Sequence, residues 1–245
     1  MKKTLILYLI LVGILCAQEN PLIVRANYFE AKPGHNAKLE KVLKDHTDRF
    51  HQSADHAINT WQVIAGDRTG QFLRTTSLQG WADFDGYQDL PGDQSHWNRS
   101  VEPHLQGIGG NVYWKFVPEL SFNPPQSTPK MFAVWIVQYK AGGWVKHRDA
   151  LLKIFEARKE NNSSHQVATY TKAIGGEGRL YAFLNPLDSW ADLNPVEMNL
   201  YEMLVASYGE EEASNILGAR SQAVEKYESE VILFRADMST PPPAE

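Results

Sequence analysis

"VRANYFEAKPGHNAKLEKVL" (Val24–Leu43) and "FAVWIVQYKAGGWVKHRDALL" (Phe132–Leu152) share one plan: Lys32 falls on Lys140 and Gly34 on Gly142, an offset of 108. Each is an alternating apolar strand that reaches a Gly-containing turn and passes into a helical pattern. The helical apolar face is Leu39, Val42, Leu43, His46 and Phe50 in the first copy, and Leu151, Ile154 and Phe155 in the second. A second strand follows each helix, "INTWQVIAG" or "QVATYTKAI". A Gly-rich hairpin comes next, Gly66–Gly70 or Gly175–Gly178, and then a third strand.

The phrases "GWADFD" (Gly80–Asp85) and "SWADLN" (Ser189–Asn194) sit at matching places after that third strand. Trp81 and Trp190 are read as packing residues, and Asp83 and Asp192 as cap or turn acceptors. Each copy then has a second helical segment, "SHWNRSVEPHLQGI" or Glu210–Glu228, and ends alike, in "FVPELS" (Phe116–Ser121) or "FRADMS" (Phe234–Ser239). The order strand, helix, strand, strand, helix, strand is written twice, which predicts an α+β chain of two tandem ferredoxin-like βαββαβ units. The boundaries are 21–121 and 130–239, with a Pro-rich linker at 122–129 and a disordered tail at 240–245.

The N-terminus, "MKKTLILYLILVGILCAQEN", has two lysines, an apolar run and small residues for cleavage near Ala17. It reads as a signal peptide over residues 1–17, and a secreted or periplasmic location follows. The run is short of the roughly 20 residues that span a bilayer. A lipid anchor on Cys16 would want a small residue before it, where Leu15 stands. Cleavage removes the only cysteine, and with it any internal disulfide. It also removes two of the 24 basic residues, leaving 22 against 29 acidic, a net −7. That acidity, without clustered Lys and Arg, excludes a nucleic-acid groove, and no membrane partner is expected of the mature chain.

Tandem ferredoxin-like units of this length resemble the dimeric α/β-barrel superfamily, which includes antibiotic-biosynthesis monooxygenases, NIPSNAP-like proteins and the haem-binding chlorite dismutase group. The resemblance covers nearly all of the mature chain and rests on element order and duplication. It implies a pseudo-dimeric α/β barrel closed within one chain, a monomer open to further association, with helices outside and ligands inside the barrel or in the cleft between sheet and helices. In the chlorite dismutase group the haem-binding histidine lies near the hairpin between the middle strands of the second unit. Here that hairpin, Ile174–Arg179, carries none, so no haem and no other cofactor is expected.

Strand alternation suggests that Val24, Ala26 and Tyr28 pack under the helices while Arg25, Asn27 and Phe29 face the barrel. On that parity Arg25, Asn27, Trp61, Arg74, Trp135 and Tyr170 form an aromatic-walled cavity with two cations and an amide. Such a cavity suits a small anionic or partly aromatic ligand. The competing reading pairs the arginines with carboxylates and lets the aromatics fill the space between sheets. His46, His51 and His56 are five apart, so on a helix they fan around the axis and no metal site is expected. His46 lies on the apolar face, where its counterpart is Ile154, and is the first choice for a catalytic base. His96 and His104 are placed on an exposed helix. The function expected is a ligand-binding exported barrel; the alternative is a cofactor-free monooxygenase or isomerase in which the protein supplies orientation and a base.

Overall fold

A computed structural model describes residues 21–176, 178–194 and 198–241. The expected signal peptide and most of the tail lie outside the described residues. Among those that are described, no helix is long and apolar enough to cross a membrane.

The chain runs β1 (Leu22–Ala31), α1 (Asn36–Phe50), β2 (Asn59–Ala65), β3 (Phe72–Gln79), α2 (Ala82–Gly86), α3 (Asp93–His96), β4 (Leu105–Ile108) and β5 (Val112–Phe116). It continues through β6 (Met131–Tyr139), α4 (Gly143–Glu160), β7 (Ala168–Ile174), β8 (Leu180–Leu187), α5 (Leu200–Tyr208), α6 (Glu210–Ala223) and β9 (Val224–Phe234). The strands follow the order β3-β2-β9-β6-β8-β7-β5-β1, and β1 pairs with β3 as well. That last pairing closes an eight-stranded antiparallel barrel, and β4 adds beside the end of β1. The strands of residues 21–121 lie in the order β5-β1-β3-β2, and those of residues 130–239 in the order β9-β6-β8-β7. β2 with β9, and β5 with β7, join the halves. A closed barrel leaves no long unpaired edge for another chain to join.

Matching details recur around the ring. Gly66 (φ +107°) and Gly175 (φ +96°) turn equivalent hairpins, and each lies against the opposite half. A Cβ would stand 2.7 Å from the Ser229 carbonyl at Gly66 and 2.5 Å from the Asn111 carbonyl at Gly175, so both positions need glycine twice over. The ends of the halves are exchanged too. Ser121 Oγ accepts from the Thr169 amide at 2.9 Å and Thr169 Oγ1 donates to the Leu120 carbonyl. Across the ring, Ser239 Oγ accepts from the Thr60 amide and Thr60 Oγ1 donates to the Met238 carbonyl, at 2.8 and 2.7 Å.

Side-chain parity inverts the sequence expectation for β1. Phe29 and Phe72 pack with Leu39 and Leu43 of α1, so this face is turned to the helix. Ala26 and Tyr28 instead join Trp61, Leu73, Phe132, Val134 and Ile232 inside the barrel. Alternation could not assign the faces because a barrel wrapped in helices covers both sides of each strand.

The helical segments also differ from expectation. The second helix of the first half is short. After α3 come a π-helical turn (Trp97–Val101) and a 3₁₀ turn (Glu102–His104), and "LQGI" is strand β4. In the second half helix ends at Ala223, and the residues expected to continue it to Glu228 belong to β9. There the run "VEKYESEVILF" gains the ladder with β6, which outweighs the helical propensity of its Glu and Lys residues.

Candidate functional site

Two cavities divide the residues expected at the site. The barrel interior encloses about 170 Å³ lined by Trp61, Tyr170, Trp114, Phe132 and other apolar side chains. At its hairpin end Tyr28 donates to the Glu230 carboxylate, and Arg68 Nε donates to the same carboxylate at 2.9 Å while lying over the Tyr28 ring. The second cavity is a cleft of about 210 Å³ on the α1 face of the sheet, lined by Arg25, Asn27, His46 and Arg74 with His51 and Asp93. Trp135 lines neither; it lies on the outer face of β6, 43% exposed. The six side chains expected to share one cavity are therefore split by strand parity: Trp61 and Tyr170 inside, Arg25, Asn27 and Arg74 outside with His46.

The outer cleft is built by few elements. β1 and β3 are paired so that Asn27 stands opposite Arg74 and Arg25 opposite Thr76. Arg74 is 4% exposed; its Nη2 donates to Thr47 Oγ1 at 2.8 Å, and its Nε has no hydrogen-bond partner among the described residues. Burial lowers its affinity for a proton to a pKa of about 10, although Asp93 acts in the other direction. Arg25 lies over the Tyr87 ring, 5.0 Å from its centroid. Asn27 Nδ2 donates to Asn111 Oδ1 at 2.5 Å, and its own Oδ1 is buried without a partner among the described residues. Two cations and an unmet acceptor thus face a space large enough for a small ligand.

The histidines come together against expectation. His46 is on the buried face of α1, 1% exposed. The helix stops at Phe50, and His51 leaves helical geometry at φ −128°, ψ 41°. Its ring therefore swings back beside His46, with centroids 5.1 Å apart, where continued helix would have carried it away. His51 Nδ1 lies 2.9 Å from the His56 carbonyl. A carbonyl only accepts, so Nδ1 carries the proton and Nε2 is left with a lone pair. His96, expected on an exposed helix, is buried, its Nδ1 3.1 Å from His46 Nδ1. The π turn carries Trp97 to the same place, edge-on to His46 and 6.0 Å from the Arg74 guanidinium.

Asp93, which sequence reasoning missed, completes the group. It begins α3 after Gly92, whose φ of +89° makes the turn that sends the carboxylate inward. Its oxygens lie 3.3 Å from His46 Nε2 and 3.8 Å from His51 Nε2. Burial first, and then Arg74, hold His46 down to a pKa of about 3 and His51 to about 4, so both are neutral at pH 7. Burial and Asp89 raise the Asp93 carboxyl while Arg74 opposes them. Chemically the cleft offers two neutral imidazoles, the two carboxyl groups of Asp89 and Asp93, and two guanidinium groups.

No protein-family model matches the sequence, and no curated protein does. Solved structures share the fold. A candidate monooxygenase from Lactobacillus acidophilus NCFM aligns with TM-score 0.54 and 9% identity, over 90% of this chain and 96% of its own. An anthrone oxidase-like protein aligns with TM-score 0.53 and 11% identity, over 89% and 92%. A chlorite dismutase variant from Candidatus Nitrospira defluvii, in complex with cyanide, gives 0.51 and 10%, over 90% and 93%. At these identities the likeness establishes architecture, and activity has to be argued from the site.

Proposed function

We propose that this chain is an exported, small-molecule-binding barrel of two tandem ferredoxin-like units, 21–121 and 130–239, whose working site is the outer cleft of the first unit. The ligand is a small, partly aromatic anion held by Arg25 and Arg74. The observation that carries this reading is Arg74, 4% exposed, in the cleft wall, with Nε unsatisfied. A buried guanidinium without a contacting carboxylate is costly, and a bound anion removes that cost. The duplication is supported by the matching strand orders and exchanged end turns. Calorimetric titration of benzoate and hydroxybenzoates into metal-free protein tests the reading. Binding to wild type that is lost in Arg74→Gln supports it; equal binding by both overturns it.

A second reading makes the cleft catalytic, a cofactor-free monooxygenase or isomerase. His46 Nε2, 3.3 Å from Asp93, would take a proton from the ligand, and the carboxylate would stabilise the imidazolium formed. The neighbours described as a candidate monooxygenase and an anthrone oxidase-like protein favour it by fold alone. Haem does not fit. The second half's face beneath α4 does hold a buried histidine, His147, but Tyr139, Trp144, Tyr181 and Phe183 fill the space around it, with Trp144 stacked on Tyr181 at 3.8 Å.

A further inference from the structure

The spacing of the three groups at the floor of the cleft is too long for them to satisfy one another. His51 Nε2 and Asp93 are beyond hydrogen-bond reach at 3.8 Å, and His46 Nε2 at 3.3 Å is well outside the 2.7–2.9 Å typical of a charge-assisted pair. Each group nevertheless presents a donor atom to the same point, all within 4.8 Å of one another. Donor atoms on a tetrahedral metal at about 2.1 Å stand roughly 3.4 Å apart, so a shift of about 1 Å or less brings the set into coordination. The supporting contacts point the same way. His51 donates a hydrogen bond from Nδ1–H to the His56 carbonyl, which leaves the Nε2 lone pair free to ligate a metal. The His46 Nδ1 contact with His96 lets His46 present Nε2 likewise. A histidine with one ring nitrogen held by a backbone or side-chain partner, and the other left free for the metal, is the arrangement found in metal-bound histidines.

We propose that His46 Nε2, His51 Nε2 and the Asp93 carboxylate bind one divalent first-row transition metal, with open coordination positions facing the cleft. Two imidazoles and one carboxylate suit zinc or iron(II), and they leave room for an exogenous ligand. A divalent metal with Arg25 and Arg74 outweighs the carboxylates of Asp93 and Asp89 in the cleft and leaves a net positive site, which an anionic ligand neutralises. That last point rests on the ligand reading above; the metal site does not. In the metal-loaded protein His46 is a ligand and not a base, so metal binding also decides against the cofactor-free reading.

The test uses chelator-treated protein, titrated calorimetrically with Zn(II) and, spectroscopically, with Co(II). The expected result is one metal per chain at a dissociation constant of about 10 µM or tighter. Asp93→Asn and His51→Gln should weaken it at least about ten-fold. His104→Gln is the control, because the His35–His104 pair, with Nδ1 atoms 3.0 Å apart, is another place a metal could lodge. That variant should bind as wild type does. If Asp93→Asn fails to fold, the zinc-induced rise in the thermal midpoint, present in wild type and lost in His46→Gln, reads the same property. The proposal is overturned if folded wild type binds no zinc at about 0.1 mM, or if Asp93→Asn and His51→Gln bind it undiminished. Loss of metal binding with benzoate binding intact would sink this inference alone; the converse would sink only the ligand reading.

Discussion

Between β1 and α1 the first half places Arg25, Asn27, His46 and Arg74; the matching sequence positions of the second half are Ala133, Trp135, Ile154 and Phe183. The outer cover differs as well. Behind α4, Ile154 is packed with Ala150, Met203, Leu204, Ala213 and Ile216, supplied by α5 and α6. Against α1 lie α3, the π turn and the 3₁₀ turn Ala236–Met238, and the first two deliver Asp93, His96 and Trp97. One frame therefore supports a tightly packed face, with His147 buried among aromatic rings, and a polar cleft. What separates them is what the covering elements carry: α5 and α6 bring apolar side chains, whereas α3 brings Asp93 and His96, two polar groups buried over His46 and Arg74.

Acid is the strongest probe of that contrast. Burial first holds His46 to about 3, and His51, His147 and His165 to about 4 each, below the ordinary 6.5. The unfolded chain therefore protonates first. Stability is complete above about pH 6.5 and is lost as pH falls towards 4, at about 1.4 kcal/mol for each tenfold difference in proton affinity. Urea unfolding between pH 7 and 4 should show the loss. The double variant His46→Gln/His51→Gln and the pair His147→Gln/His165→Gln should each flatten it. If the second pair alone does so, the first cleft is wetter than its burial implies and the contrast widens.

Exchanging the counterparts comes next. Ile154→His puts an imidazole into the packed face and should cost roughly 3 kcal/mol in urea unfolding, from lost packing and an unpaired polar group. A cost below about 0.5 kcal/mol would mean that this face is not tightly packed. Arg74→Ala or Arg25→Ala should weaken binding of an aromatic carboxylate by about 1.5–3 kcal/mol, read by calorimetry. Ala133→Arg in the second half should create no such binding. The smallest effect is at the repeated phrase: Trp190, 53% exposed, should tolerate phenylalanine within about 0.5 kcal/mol with ligand binding unchanged.

Element order, hairpins and the matching ends were legible because turns and periodicity are local. Asp192 as a turn acceptor was legible for the same reason, and it accepts from the Asp188 and Ser189 amides. Which strand face looks inward was not, because Arg25 and Tyr28 are both covered and polarity does not separate barrel from helix layer. The His46–His51 pair was hidden by an assumption of continuous helix one residue too long. Asp93 was hidden because an acid at a helix start looks like an ordinary dipole partner. Its inward turn depends on the positive φ at Gly92, which the sequence permits without announcing.

The exchanged end turns bear on how the chain assembles. Strand β2 finds its last partners, Met238 and Ser239, 178 and 179 residues downstream, whereas β7 meets Leu120 and Ser121 within 49. During synthesis the first half emerges without its closing turn and waits for nearly the whole chain, a long-range closure that slows folding. Because each closing turn belongs to the opposite half, the turn of a neighbouring molecule offers β2 the same bonds as its own. Refolding at high concentration thus sets intramolecular closure against reciprocal exchange between two chains, and dilution favours the monomer.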